Sequence, residues 1–284
     1  MCNHKYNLLG MKLTNPIIVA SGPMCDGVNL INRFFSRGAA AVVTKTITCI
    51  ESKEKSIKCC DNYIFNRDGY SNRSIQQWCM DLDSLQDKNV IVNIFAQSST
   101  QLAELCKIAS IHKAKAVELC LSCPTRDEDP ICFNLDHLRE ICITVRRKVD
   151  IPISVKILLT PSIRFNRQMV ALIKDVGIDC ITVSDSFPAR LLDHDYKAVF
   201  SGNGGLSGDF MKPLVLKFLH DIMDIKIEKI AVGGVYTGKD VRDYLSAGAN
   251  AVGVCSAILR CGNGVIEKIN KEFNTMEERI NGQV

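Results

Sequence analysis

The chain has 284 residues, 46% of them hydrophobic, enough to bury a large core, and its 35 Lys and Arg against 31 Asp and Glu leave a net charge of +4. The excess positive charge is spread without basic runs, which argues against a dedicated nucleic-acid surface, and no apolar stretch approaches the roughly 18 to 20 residues that span a bilayer. Met1-Cys2-Asn3-His4-Lys5 lacks the apolar core of a signal peptide, so a cytoplasmic location without membrane or nucleic-acid partners is expected.

Residues 6–15 read as a small hairpin that covers the floor of a barrel formed by the rest of the chain. Short runs rich in Val, Ile and Ala then recur at 17–22, 40–48, 90–95, 116–122, 152–157, 180–185, 229–235 and 251–257. Each is apolar on both faces, the pattern of parallel strands buried beneath helices. Amphipathic segments of helical period separate most of them, at 100–112, 135–148, 165–176, 212–223 and 238–247. Alternating strand and helix means an α/β chain with a parallel sheet. Eight such units predict a closed (β/α)8 barrel, the TIM barrel; an open doubly wound sheet would usually carry G-x-G-x-x-G after its first strand, and that fingerprint is missing. The stretch 51–87 is too long for an ordinary βα loop and is expected to fold over the active face. No low-complexity linker interrupts the chain, which predicts a single domain over residues 1–284.

Fourteen cysteines are scattered through apolar segments, unlike the framework of a small disulfide scaffold, and most read as reduced core residues. Cys59-Cys60 sits in a polar stretch without a partner pattern. Cys120-Leu-Ser-Cys123 is formally a C-x-x-C, but it straddles a strand end rather than opening a helix. It lacks two further ligands at iron–sulfur spacing, so no metal is expected.

Active sites of such barrels lie at the carboxyl ends of the strands. The polar residues there are Ala20-Ser21-Gly22, Thr44-Lys45-Thr46, Asn93, Ser122-Cys123-Pro124, Lys156, Ser184-Asp185-Ser186, Gly233-Gly234 and Cys255-Ser256. Gly233-Gly234, the helix opening Thr237-Gly238-Lys239-Asp240, and Gly253 through Ala257 occupy the usual phosphate site, where backbone N–H groups approach an anion beside a short helix N-terminus. Gly204–Gly208 reads as another glycine-rich loop. Two lysines in otherwise apolar strands are costly without an anionic partner, although a strand lysine can also snorkel or pair.

Asn15-Pro16, Ala20-Ser21-Gly22, Val43-Thr44-Lys45-Thr46, Glu118-Leu119-Cys120-Leu121-Ser122-Cys123-Pro124, Val155-Lys156, Gly204–Gly208 and Gly233-Gly234 together resemble the dihydroorotate dehydrogenase family, soluble class 1, in register over residues 8–259. The resemblance implies non-covalently bound FMN across the barrel mouth. Ala20, Ser21 and Gly22 would then line its ring, with Lys45, Thr46, Asn93, Lys156 and Ser184 around it. Ser207, Gly208, Gly233, Gly234, Cys255 and Ser256 would hold its phosphate. Cys123 matches the catalytic base, a thiol that serves once nearby positive charge favours its thiolate, and Lys45 is carried over beside it. The reaction implied is loss of a proton to Cys123 and a hydride to FMN, creating a C–C double bond beside a carbonyl.

The substrate wall departs from the family. Asn66 is retained and Ser186 follows, but Cys120, Thr125 and Asp185 replace three asparagines that read the substrate ring. Lost amide partners change discrimination strongly. Two readings follow: dihydroorotate oxidation in pyrimidine synthesis, with a separate electron-transfer subunit and a homodimer as family-level expectations, or a recruited relative acting on another amino-acid or heterocycle-derived substrate. An enzyme reducing tRNA uridine ranks below these, because only about 25 residues follow Leu259 where a basic extension is expected. A non-catalytic FMN-binding subunit ranks low as well, given Cys123 and both lysines.

Overall fold

A computed structural model describes residues 6–50, 55–123, 128–280 and 282. The chain opens with β1 (Tyr6–Leu8) and β2 (Met11–Leu13), an antiparallel hairpin. There follow β3 (Ile17–Val19), α1 (Val28–Phe35), β4 (Ala41–Val43), β5 (Ser56–Cys59), β6 (Tyr63–Arg67) and α2 (Ile75–Ser84). Next come β7 (Val90–Ile94), α3 (Ser99–Ile111), β8 (Ala116–Cys120), α4 (Leu135–Arg146), β9 (Ile153–Ile157) and α5 (Ile163–Asp175). The last part holds β10 (Cys180–Val183), β11 (Phe187–Ala189), β12 (Gly204–Gly208), α6 (Met211–Asp221), β13 (Glu228–Val232), α7 (Gly238–Ser246), β14 (Ala251–Val254), α8 (Ser256–Cys261) and α9 (Val265–Ile280).

β3, β4, β7, β8, β9, β10, β13 and β14 close into an all-parallel barrel in that order, as the alternation predicts. Most strands end before their apolar runs do: 180–185 pairs only as Cys180–Val183, and 40–48 as Ala41–Val43 with one further bridge from Ile47 to Ile94. Several residues beyond the paired segments, such as Lys45, Thr46 and Ser184, stay buried and line the mouth.

Side chains alternate across each strand, so every second residue enters the barrel. Ile18, Ala41, Ile91, Ala116, Cys180, Ile230 and Ala251 form an inner apolar layer sealed by Leu8, Leu9, Met11 and Leu13 of the hairpin. The hairpin thus plugs the floor, and its Leu9 N–H donates to Glu228 Oε2 at 2.6 Å. The opposite faces pack against the helices in a second, larger core.

The lid differs in part from expectation. β5 and β6 do rise over the mouth, but residues 75–84 form the barrel helix α2, opened by a capping box between Ser74 and Gln77. The other half of the lid comes from β11 and β12, giving a four-stranded antiparallel sheet in the order β11-β12-β6-β5. Gly204–Gly208 is therefore a strand, not a loop, with Gly205 opposite Asn66 and Phe65 stacked on Phe200 at 4.7 Å. Among the described residues, no helix is long and apolar enough to cross a membrane.

Above the apolar layer lies a polar one. Glu118 is fully buried; Asn93 Nδ2 donates to its Oε1 at 2.5 Å, Thr182 Oγ1 donates to its Oε2, and Ser154 lies 3.1 Å from Thr182. Burial raises the Glu118 pKa, with Lys156 and these hydrogen bonds opposing. The folded state therefore holds this proton more tightly than the unfolded chain, and stability falls as pH rises above the unfolded value. Glu118→Gln should remove that loss, giving a thermal midpoint no lower than wild type at pH 8 and a smaller difference at pH 5. Glu118→Leu should cost about 3 kcal/mol in chemical denaturation, because the Asn93 amide and Thr182 hydroxyl lose their partner.

Candidate active site

The carboxyl ends of the barrel strands and the lid sheet flank an open cavity. Alternation delivers the side chains: in β8, Ala116 and Glu118 enter the lower layers and Cys120 reaches the mouth, while in β9 Ser154 lies low and Lys156 high. Ser21, Gly22, Lys45, Thr46, Asn66, Cys120, Cys123, Lys156, Ser184, Asp185, Ser186, Ser207, Gly233, Gly234, Cys255 and Ser256 all line this cavity.

Three expected site residues are not part of the wall. Ala20 is buried in the barrel interior below it. Asn93 belongs to the Glu118 layer, with its Oδ1 unpartnered. Gly208 faces Tyr63 across the lid ladder. Thr125 lies outside the described residues.

Both buried lysines have protein partners. Lys45 Nζ is 2.5 Å from Asp68 Oδ2 and donates to the Asp68 carbonyl at 3.2 Å. Lys156 Nζ is 3.1 Å from Asp185 Oδ1. The anionic partner that sequence reasoning sought in a ligand is thus supplied in each case by a carboxylate on a neighbouring element. Asp68 was missed; its signal was its place two residues after Asn66, in the segment that brings Asn66 to the cavity. Burial disfavours the Lys156 charge, but Asp185, then Cys120 and Glu118, outweigh it and the pKa is raised.

None of the described cysteines forms a disulfide, Cys120 and Cys123 included. Cys120 is 5% exposed, and burial first, then Asp185 and Cys123, push its thiol well above the ordinary range. Burial likewise raises the Cys255 thiol to about 11, although Lys156 and Lys45 pull it down. Cys123 is only half-buried.

At the other end of the cavity Gly234 has φ +66°, and an added Cβ would lie 2.8 Å from the Asp209 carbonyl, so the turn requires glycine. The buried Tyr244 hydroxyl donates to the Gly233 carbonyl at 2.6 Å and pins this turn. Among the described residues, no protein acceptor takes the amides of Gly234 or Val235. Ser256 Oγ donates to Ser207 Oγ at 3.0 Å beside them. The helix opening at Thr237 serves otherwise than expected: the N–H groups of Tyr236 and Thr237 go to Asp240 and that of Gly238 to Glu272, leaving none of them for an anion.

A closed parallel barrel with a thiol, two ion-paired lysines and an open-amide glycine turn on one cavity defines a small-molecule site equipped for proton transfer and anion binding. The chain belongs to the dihydroorotate dehydrogenase family: the sequence profile described as "Dihydroorotate dehydrogenase" matches residues 4–276. Its members are oxidoreductases acting on CH–CH groups, and this chain is of that class. It is 30% identical, over 94% of its length and 92% of the relative's, to "Dihydroorotate dehydrogenase B (NAD(+)), catalytic subunit" of Endomicrobium trichonymphae. The protein of the same description from Methanocaldococcus jannaschii is 27% identical over 96% of this chain and 92% of its own. A crystal structure of DHODH in complex with ferulenol from Eimeria tenella superposes with a TM-score of 0.83 over 97% of this chain and 85% of that one, at 19% identity, a likeness of fold.

Among the thiols that line the cavity, Cys120 is buried and Cys123 half-buried. Brief alkylation with iodoacetamide at neutral pH, followed by peptide mass spectrometry, should find Cys123 modified and Cys120 intact; equal labelling would contradict the burial described.

Proposed function

We propose that this chain is the catalytic subunit of a B-type, class 1 dihydroorotate dehydrogenase, oxidising dihydroorotate to orotate with bound FMN and passing electrons through a partner subunit to NAD(+). The observation that carries this reading is the convergence of Cys123, Lys45, Lys156 and the Gly233-Gly234 turn on one cavity. The residues fit FMN: the unengaged amides of Gly234 and Val235, with Ser207, Cys255 and Ser256, suit a phosphate. Ser21, Gly22, Thr46, Ser184 and the two lysines suit a polar ring. When bound, FMN supplies the two-electron acceptor.

Cys123 takes the proton from the substrate carbon beside the carbonyl, and its partial exposure leaves it a route to return that proton to water. Lys45, fixed by Asp68, lines the same wall. Asn66, whose Nδ2 donates to the Gly205 carbonyl at 3.0 Å, keeps its Oδ1 as an acceptor for a ring N–H, and Ser186 lines the same cavity. The lid sheet limits water access. A second reading, changed specificity, is favoured by Cys120 and Asp185 in the wall, where a neutral thiol and a carboxylate stand in place of amides.

The purified protein should be yellow and should bleach anaerobically on adding dihydroorotate. Cys123→Ala should keep the flavin and slow bleaching by about 10²- to 10⁴-fold. A yellow protein unbleached by dihydroorotate moves the conclusion to the second reading, and one that stays colourless after FMN is added sinks the flavoenzyme reading.

A further inference from the structure

Asp185 is held by donors from three successive strand ends. Lys156 of β9 and the Ser186 N–H engage Oδ1 at 3.1 and 2.8 Å, and Ser122, beyond β8, donates to Oδ2 at 2.8 Å. The side chains of Lys156 and Asp185 are 10% and 13% exposed, so the pair sits where water screens little. In this part of the cavity wall Lys156 therefore faces a carboxylate at contact distance, an ion pair rather than an isolated ammonium.

That balance matters to a cofactor that gains negative charge on reduction. An ammonium alone beside such a ring favours its reduced form, whereas an ammonium with a carboxylate at contact distance presents a dipole whose field falls off steeply. We propose that Asp185 is a positioning residue that fixes Lys156 and cancels its charge, thereby lowering the midpoint potential of FMN bound in this cavity. The inference rests on the FMN reading above and adds to it a reason for the carboxylate at this position. A lowered potential suits delivery of electrons to a weak oxidant such as a nicotinamide rather than to a strong one.

The test is spectroelectrochemical titration of the FMN-loaded protein. Asp185→Asn keeps the shape and the acceptor for the Ser186 N–H, with Ser122 Oγ turning from donor to acceptor toward the amide, but removes the charge. It should raise the equilibrium constant for two-electron reduction at least tenfold, about 30 mV for this couple. Asp185→Glu should restore most of the wild-type value. Lys156→Met should shift the potential the opposite way, a sign reversal that loss of packing alone does not produce. Asp185→Ser provides a second uncharged variant should the first fail to fold. FMN bound normally with an unchanged potential in the uncharged variants would overturn this inference and leave the flavin reading standing; a wild-type protein that binds no FMN would overturn both.

Discussion

Everything at the mouth of this barrel depends on the period of two along its strands. A closed parallel sheet sends alternate side chains inward, so successive inward positions stack in layers along the barrel axis. Here the layers run from apolar at the floor, where the hairpin residues Leu8, Leu9, Met11 and Leu13 seal them, through the Asn93, Glu118, Ser154 and Thr182 network, to Cys120 and Lys156 at the top. A slip of one residue in β8 or β9 would turn Cys120 and Lys156 into the helix layer and bring leucine and isoleucine to the cavity. Apolar packing at the floor and charge at the mouth are therefore consequences of one geometry.

The same layering sets the electrostatics. Lys45 and Lys156 are buried, and an isolated ammonium there would be expensive. Asp68 reaches Lys45 from the lid and Asp185 reaches Lys156 from the next strand end, so each charge is balanced across elements distant in sequence. Such pairs contribute modestly to stability, because desolvation offsets much of their attraction, but they hold orientation firmly. They also leave the cavity with cations already partnered, which bears on any anionic ligand it takes.

The lid sheet and the glycine turn show how second-layer contacts shape the site. β5 and β6 are joined by β11 and β12 into one sheet, and that sheet carries both Asn66 and Ser207 to the wall. Tyr244, buried in α7, holds the Gly233 carbonyl and so determines how the turn presents its amides. Asp240 and Glu272 meanwhile consume the amides at the start of α7, which separates the structural helix terminus from the anion-binding turn beside it.

Local sequence alone determined the repeating units. Apolar runs such as 116–122 and amphipathic segments such as 135–148 state their periods within a dozen residues, so strand, helix and a barrel of eight units were legible, as was the set of small and reactive residues at the strand ends. α1 and α9 were not among the named segments although both are strongly amphipathic, and β12 was hidden by its glycines, because its conformation is imposed by pairing with β6 rather than by its own propensity. The partners of the lysines, the retreat of Ala20, Asn93 and Gly208 from the cavity wall, and the use of the α7 N-terminus were decided only by the tertiary structure. Each depends on residues far apart in the chain, such as Lys45 with Asp68 or Gly238 with Glu272, and a distance in space between such residues is a property of the packed whole that no local pattern encodes.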